Sequence, residues 1–239
     1  MKTKIVYEDE QILVCYKPAG LATQTSKVGQ QDMVSELKNY LAGKQRAGAP
    51  YLGVIHRLDQ PVEGLLVFAK NSKAAASLTA GLSQGTLNKQ YYAVVCGKPV
   101  EKSGELLDYL WKDASSGSAI VVDSESAADS PACYAKTALK KAVLQYRVTG
   151  KLSTPESITL LDVHIDTGRF HQIRAQLSHA GLPILGDSRY GSGQSKALSQ
   201  RLGVRNVALC AYRIVLKHPT TGKILDFQEE PQGLIFSKF

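Results

Sequence analysis

The sequence has few of the features that mark a metal, redox or membrane protein. Its four cysteines stand at positions 15, 96, 133 and 210, and no two have the CxxC spacing of a zinc knuckle or a dithiol redox site. No apolar run is long enough to cross a bilayer, and the first residues lack the apolar core of a signal peptide. We therefore expect a cytoplasmic protein with reduced thiols, without a bound metal and without a membrane partner.

The charge balance is basic, with 29 Lys+Arg against 21 Asp+Glu and a net charge of +8. Such an excess suits a polyanion, because each phosphate contact releases counterions. Scattered surface lysines would give the same excess, so charge alone leaves both interpretations open. Hydrophobic residues make up 44% of the chain, which is typical of a packed globular protein. We expect a single domain spanning residues 1–239.

The pattern of apolar and turn residues predicts many strands and a few helices. Strands are predicted at residues 5–7, 12–16, 65–69, 90–96, 134–148, 158–165, 207–217 and 223–227, and helices at 33–41, 72–82 and 170–180. Residues 113–132, rich in Ser, Ala, Asp and Gly, predict a hairpin with a flexible loop. Strands and helices do not alternate regularly, which favours an α+β fold over a doubly wound sheet.

A polar cluster precedes the buried strand at residues 65–69. It comprises His56, Arg57 and Asp59. A carboxylate and a guanidinium at the edge of a core are costly unless they are paired or used in chemistry. The alternative is that Asp59 only accepts backbone hydrogen bonds in the turn before Gly64. The residues alone favour neither interpretation.

A second polar segment runs from residue 166 to 191. A helix starting near residue 170 would have an apolar stripe formed by Phe170, Ile173, Leu177 and Ala180. Arg174 lies beside this stripe, so its side chain could enter the interior and meet a carboxylate. His171 and His179 raise a metal hypothesis, but their spacing does not match HExxH and no acidic ligand lies between them.

A third segment, from Lys89 to Gly97, predicts a strand in which Tyr91 and Tyr92 face opposite sides. One ring would enter the core or a cleft and the other would face outward. Two ordinary strand aromatics are the alternative interpretation.

Together these segments resemble the RluA family of pseudouridine synthases. The resemblance rests on HRLD at 56–59 with AK at 69–70, on Lys89, Tyr91 and Gly97, and on the stretch TGRFHQIR at 167–174 continuing to YG at 190–191. The opening strand pair and KPAG at 17–20 also resemble the family's N-terminal signature. The motifs occur in the family's order and cover essentially the whole chain.

The resemblance implies a mixed, mostly antiparallel sheet with flanking helices and a central active-site cleft. It implies that uridine in structured RNA, rRNA or tRNA, is isomerised to pseudouridine without a cofactor, because nothing is oxidised. Asp59 would be the catalytic carboxylate, Arg174 its charge partner, and Tyr91 would stack on the uracil and relay the C5 proton.

The resemblance also implies a set of RNA contacts. They are His56, Arg57, Lys89, Arg169, His171 and Gln172, with Arg57 filling the space that a flipped nucleotide leaves. The chain departs from the family pattern at Val62–Glu63, where many members have Thr-Ser, and at Gln176, where many have His. Glu63 would add a negative charge that affects substrate choice or the proton affinity of Asp59. We expect a catalytic domain without an S4 domain, and a monomer.

Two other functions compete with the synthase. A non-catalytic RNA-binding or RNA-folding protein on the same fold would have no need for the Asp59, Tyr91 and Arg174 set. A hydrolase using Asp59 with a histidine would release free base or cut a phosphodiester, and a metal-dependent form would be sensitive to chelators.

Overall fold

The structure is a computed structural model that describes residues 2–27, 29–44, 48–122, 139–152 and 156–239. The strands are β1 (Lys4–Glu8), β2 (Ile12–Lys17), β3 (Gly53–Val54), β4 (Glu63–Ala69), β5 (Asn88–Cys96), β6 (Ser103–Asp113), β7 (Ser118–Val122), β8 (Lys140–Leu152), β9 (Ile158–Ile165), β10 (Leu209–Lys217) and β11 (Ile224–Gln228). The helices are α1 (Met33–Ala42), α2 (Ser72–Ser83), α3 (Gln172–His179) and α4 (Gly193–Arg201), and the 3₁₀ turn Phe236–Lys238 ends the chain.

The chain divides into two compact units. Unit 1 comprises Met1–Gln90 and Cys210–Gln232, and unit 2 comprises Tyr91–Leu209 and Gly233–Phe239. Unit 1 is therefore built from two pieces of chain that are distant in sequence. The expectation of a single domain stays a prediction.

The core of unit 1 is formed by two strands that are buried along their whole length, β2 and β4. They pair antiparallel from Ile12 opposite Ala69 to Lys17 opposite Gly64. The apolar runs at residues 12–16 and 65–69 explain most of this burial, because a strand covered on both faces is apolar at nearly every position, and the charged residues Lys17 and Glu63 stand at the ends of the two strands. Asp32 and Asn71 are the N-caps of α1 and α2. Each side chain accepts a hydrogen bond from the backbone N–H three residues further on.

β4 also pairs with β10, in parallel, at the point where β4 begins. Gly64 has a φ of +127°, and a Cβ there would lie 2.4 Å from the backbone nitrogen of Ala211. Only glycine fits this conformation and this close approach. The residues that follow Asp59 are thus fixed against the last part of unit 1.

Unit 2 contains the strands β5, β9, β8, β6 and β7 in that spatial order. The pairs β9–β8, β8–β6 and β6–β7 are antiparallel. α3 packs on one face of these strands through a small apolar cluster of Leu110, Ala119, Ala142 and Ala175. This packing determines which side chains of α3 point inward.

Most predicted elements are confirmed within a few residues. β3, β6 and α4 were not predicted. Within residues 113–132, where a hairpin with a flexible loop was expected, the structure has the β6–β7 turn and β7, while nearly all of β6 precedes residue 113. Residues 123–132 of the expected loop and 134–138 of the expected strand lie outside the described residues.

The start and the stripe predicted for α3 were wrong in part. The helix begins at Gln172, because His171 adopts a left-handed conformation with φ 53°. Phe170 therefore precedes the helix and its side chain is 38% exposed, and Ala180 is also exposed. Ile173, Leu177 and Arg174 are buried as predicted.

Candidate active site

Asp59 lies in a loop of unit 1 whose side chains alternate between the interior and solvent. His56 and Leu58 are buried, Arg57 is exposed and Asp59 is partly exposed. The backbone N–H of Val62 donates to the Asp59 carbonyl at 3.0 Å, which closes a turn before β4. Asp59 is therefore a partly exposed residue on a loop whose backbone closes a turn.

The loop is fastened to residues 17–23 by reciprocal hydrogen bonds. Gly20 N–H donates to the Gln60 carbonyl (2.8 Å), and the Gln60 amide donates back to the Gly20 carbonyl (3.0 Å). The Thr23 hydroxyl donates to the Leu58 carbonyl (2.9 Å) and accepts from the Leu58 N–H (3.2 Å). The residues on both sides of Asp59 are thus held.

Lys17, which is fully buried, also holds the loop that contains Asp59. Its ammonium donates to the carbonyls of Leu21 (2.6 Å), Gln60 (3.1 Å) and Pro18 (3.2 Å). Burial lowers the pKa of Lys17 to about 7, although the negative charges of Asp59 and Glu63 oppose the shift. The sequence offered one signal for this residue, its place in KPAG at 17–20, which the resemblance includes without assigning the lysine a role.

His56 is buried beside β4. Its Nε2 accepts a hydrogen bond from the Val67 N–H at 3.3 Å. Burial, with the charge of Lys89 as a smaller cause, lowers the pKa of His56 well below 6.5, so the ring is neutral at pH 7. A neutral imidazole that accepts at Nε2 carries its proton at Nδ1. Within the described ranges this Nδ1 has no hydrogen-bond partner.

Glu63, the first departure from the family pattern, is buried at the start of β4. Its carboxylate accepts from the Tyr16 hydroxyl (2.8 Å) and the Gln232 N–H (3.2 Å). Burial raises the pKa of Tyr16, and the neighbouring Cys210 and Glu63 raise it further. Glu63 thus joins three separate segments of unit 1.

In unit 2, Arg174 and Asp187 form a buried ion pair with two hydrogen bonds. Arg174 Nε lies 2.8 Å from Asp187 Oδ2, and its Nη2 lies 2.9 Å from Oδ1. Burial acts to raise the pKa of Asp187, but the Arg174 hydrogen bond and charge, with the N–H groups of Tyr190 and Arg189, outweigh burial and hold it below its usual value. Sequence reasoning predicted a carboxylate for Arg174 but missed Asp187, although GDSRYG at 186–191 is part of the motif.

The residues before α3 are held by Gln172. Its side-chain oxygen accepts from the Thr167 hydroxyl (2.8 Å) and the Arg169 N–H (3.0 Å), and its nitrogen donates to the Val143 carbonyl (3.0 Å). Gln172 is buried, so these bonds explain it as an anchor of α3. Its predicted contact with RNA, like that of Arg169, stays a prediction.

Gln176, the second departure, lies in the core of unit 2. Its side-chain nitrogen donates to the Asp108 carboxylate at 2.6 Å, and lies 3.2 Å from the Leu106 carbonyl and 3.3 Å from that of Ala142. The side chain therefore ties α3 to β6 and β8.

The predicted site residues are divided between the units. His56, Arg57, Asp59 and Lys89 belong to unit 1, whereas Tyr91, Arg169, His171, Gln172 and Arg174 belong to unit 2. Tyr91 is buried in β5 while Tyr92 is partly exposed, as the alternation predicted. That Asp59, Tyr91 and Arg174 converge stays a prediction from the resemblance.

The described part of the chain shows neither a metal-binding cluster nor a membrane-spanning helix. It contains no group of three or more His, Cys, Asp or Glu side chains that could hold a metal ion. Among these same residues no helix is both long enough and apolar enough to span a bilayer.

Comparison with known proteins shows what the chain resembles. Residues 11–179 match the family described as RNA pseudouridylate synthase. The chain is 33% identical to ribosomal large subunit pseudouridine synthase D of Zymomonas mobilis, over 97% of this chain and 70% of that protein. It is 29% identical to tRNA pseudouridine synthase C of Yersinia pestis, over 99% of this chain and 90% of that protein.

The fold is shared with solved structures. Human RNA Pseudouridylate Synthase Domain Containing 1 superposes with a TM-score of 0.75 at 20% identity, covering 96% of this chain and 83% of that one. At this identity the likeness shows the fold alone, and it confirms the predicted α+β class with a mixed, mostly antiparallel sheet. The chain belongs to the RNA pseudouridylate synthase family and is an isomerase of the RluA type.

Proposed function

We propose that the chain isomerises specific uridines to pseudouridine in rRNA or tRNA and that Asp59 is the catalytic carboxylate. The observation that carries the proposal is the Asp59 loop itself. Its backbone is fastened by Lys17, Gly20 and Thr23, and Asp59 itself is partly exposed. A carboxylate residue on a fixed backbone that is not fully buried is what a positioned catalyst requires.

The reaction breaks the N1–C1′ bond, turns the base and joins C5 to C1′. No electron donor and no energy source is consumed. A carboxylate suits it either as a nucleophile or as the electrostatic partner of developing oxocarbenium character. We assign stacking on the uracil and transfer of the C5 proton to Tyr91, and orientation of Asp59 to Arg174, both on the resemblance.

The RNA class follows from the relatives' names, which specify ribosomal RNA for some and tRNA for others. The exposed Arg57 directly precedes the buried Leu58 and is proposed to fill the space of the flipped nucleotide. A uridine in a loop costs less to extrude than a paired one, so we propose an unpaired target.

The test is Asp59→Asn, a nearly isosteric change. We expect pseudouridine formation to fall by at least about 10³-fold, with RNA binding retained. The chain is expressed in host strains that each lack one pseudouridine synthase, and total RNA is mapped by carbodiimide modification and primer extension. Glu10→Gln, which changes an exposed carboxylate of the same unit, is the matched control.

A site restored by the wild type and lost with Asp59→Asn establishes catalyst and substrate together. Full activity in Asp59→Asn contradicts the assignment of Asp59. RNA binding with no pseudouridine in any RNA would instead support the non-catalytic RNA-binding protein.

A further inference from the structure

Phe170 is a large aromatic side chain that the fold leaves exposed. It is 38% exposed and precedes α3 instead of contributing to its apolar stripe. Single exposed aromatics are common on protein surfaces, so exposure alone carries no conclusion. The surroundings of Phe170 support a stronger conclusion, because one face of its ring is packed against a fixed side chain and the other face is only loosely covered.

One face of the Phe170 ring stacks on His171, with ring centroids 3.7 Å apart and planes at 21°. The imidazole is fixed in turn, because its Nδ1 lies 2.8 Å from the Tyr190 hydroxyl. The same hydroxyl accepts the Ala119 N–H of β7 at 2.7 Å. The ring of Phe170 is therefore connected to β7 through two side chains, those of His171 and Tyr190.

The backbone around Phe170 is fixed as well. Arg169 is held by a bond from its N–H to Gln172 and by a bond from its Nε to the Lys141 carbonyl at 3.0 Å. His171 is kept in a left-handed conformation that a residue with a Cβ adopts at a cost. The Phe170 ring thus has little conformational freedom left to lose on binding.

The opposite face of Phe170 carries the ammonium of Lys112, whose Nζ lies 4.7 Å from the ring centroid. Since the imidazole occupies one face, Lys112 lies against the other. Lys112 is an exposed residue near the end of β6, and a lysine ammonium is a flexible point charge. A planar ligand can therefore displace it without breaking packed structure.

We propose that Lys112, Phe170, His171 and Tyr190 form a stacking platform for one unpaired nucleobase of the substrate RNA. The base replaces the Lys112 ammonium on the ring of Phe170, and the ammonium moves to a neighbouring phosphate. This inference rests on the proposed function for its ligand, and it deepens that function by naming a second contact with the RNA.

The exchange is favoured by the relative strengths of the two contacts. An exposed cation over an aromatic ring contributes about 2- to 5-fold in equilibrium constant. A base stacked on an aromatic side chain contributes about 5- to 150-fold. The displaced ammonium then gains a phosphate, so the base is the preferred occupant of the face.

Charge also favours a nucleic acid over an apolar partner. Arg169 and Arg189 are exposed neighbours in sequence of two platform residues, Phe170 and Tyr190. Asp113 follows Lys112, but alternation along β6 turns it to the other face, where it accepts from Ser115 and Ser116. A base with an adjoining phosphate matches an aromatic ring beside cations.

The test compares two single-stranded RNA probes with the full chain. One is an eight-nucleotide abasic strand carrying a single 2-aminopurine, and the other is the same strand with an abasic nucleotide at that position too. We expect the wild type to quench the 2-aminopurine fluorescence and to bind the base-bearing probe about 5- to 150-fold more tightly. Phe170→Leu should lose both effects, and Phe170→Trp should keep them.

Lys112→Gln separates the roles of the two side chains. It should retain quenching and lower the slope of log affinity against log salt by about 0.7, the share of one phosphate contact on a single strand. Leu107→Ala, an exposed apolar change on the opposite face of β6, should behave like the wild type. Thermal unfolding midpoints verify that every variant is folded.

Base-dependent binding that persists in Phe170→Leu overturns the proposal, as does equal binding of both probes by the wild type. Self-association that depends on Phe170, with no base dependence, reassigns the surface to a protein contact and also overturns it. The two proposals can be contradicted independently. Base stacking without any pseudouridine formation would contradict the proposed function. Pseudouridine formation together with base-dependent binding that Phe170→Leu does not change would contradict the platform.

Discussion

Among the residues that the structure describes, each unit buries one lysine or arginine side chain, and the two are held in opposite ways. In unit 1 the Lys17 ammonium lies among three backbone carbonyls. In unit 2 the Arg174 guanidinium lies against the Asp187 carboxylate with two hydrogen bonds. Both side chains are almost completely buried.

The two arrangements have different effects. The carbonyls around Lys17 fix the backbone of a loop, whereas the carboxylate beside Arg174 fixes a charged side chain. Carbonyl oxygens fix the position of backbone, and at a pKa of about 7 Lys17 can lose its proton near neutrality. A guanidinium stays protonated in proteins, so Arg174 keeps its charge at every accessible pH. Unit 1 thus uses its cation to fasten the Asp59 loop, and unit 2 uses a carboxylate to position a permanent cation.

The largest expected effect comes from breaking the ion pair. Asp187→Asn removes the carboxylate that pairs with the buried Arg174 guanidinium, and we expect it to lower the free energy of unfolding by about 3–5 kcal/mol. Urea denaturation measures this loss. Adding Arg174→Met removes the guanidinium that has lost this carboxylate, so the double variant should be more stable than Asp187→Asn. A double variant that is less stable would show that burial of Arg174 without Asp187 is not the cause of the loss.

Lys17→Met tests the buried lysine of unit 1 and its carbonyl partners. It leaves the three carbonyls with fewer donors, and we expect a loss of about 1–3 kcal/mol at pH 7. The effect also depends on pH. Because the pKa of Lys17 is about 7 in the folded protein and 10.5 unperturbed, the folded state binds fewer protons between these values. Wild-type stability should therefore gain up to about 1.4 kcal/mol per pH unit there from this group.

The measurement is urea denaturation of both proteins at pH 6, 7, 8 and 9. The advantage of the wild type over Lys17→Met should grow as the pH rises above 7 and level off below it. An advantage that stays constant over this range would show that Lys17 keeps its proton throughout. The carbonyl cage would then hold a charge as firmly as the carboxylate does.

Glu63→Gln gives the smallest expected effect. The amide oxygen can accept both hydrogen bonds that Glu63 Oε2 accepts, from the Tyr16 hydroxyl and the Gln232 N–H, but the charge is removed, so we expect a loss of about 1 kcal/mol. Hydrogen exchange at the Gln232 amide should become faster. An unchanged exchange rate would mean that Glu63 does not hold the end of unit 1.

The predictions made from the clearest sequence patterns agree best with the structure. The apolar runs at residues 12–16 and 65–69 can only be satisfied by burial, and they lie in the buried strands β2 and β4. β6 was missed because Leu106 and Leu107 interrupt its alternation. α4 was missed because its nine residues are mostly polar, and Leu198 is its only buried apolar side chain.

The site was predicted less completely, for a physical reason. Burial of Arg174 follows from its place beside the stripe of α3, but Asp187 is thirteen residues further on and becomes its partner only through the fold. The position of Phe170 depends on the φ of His171, which no local pattern reveals, since non-glycine residues rarely adopt it. The cage around Lys17 consists of carbonyls, which the identities of residues do not encode.

The discontinuity of unit 1 has a consequence for its synthesis. β4 needs Ala211 beside Gly64, and Glu63 binds the N–H of Gln232, so the strand that follows Asp59 lacks these contacts until nearly the whole chain exists. At about 5–20 residues per second, the roughly 140 residues after Gln90 take about 7–28 s to translate. Throughout that interval β4 can pair with β2 but lacks its other neighbour, β10, so its apolar residues 65–69 stay incompletely packed and are a candidate site for chaperone binding on the nascent chain.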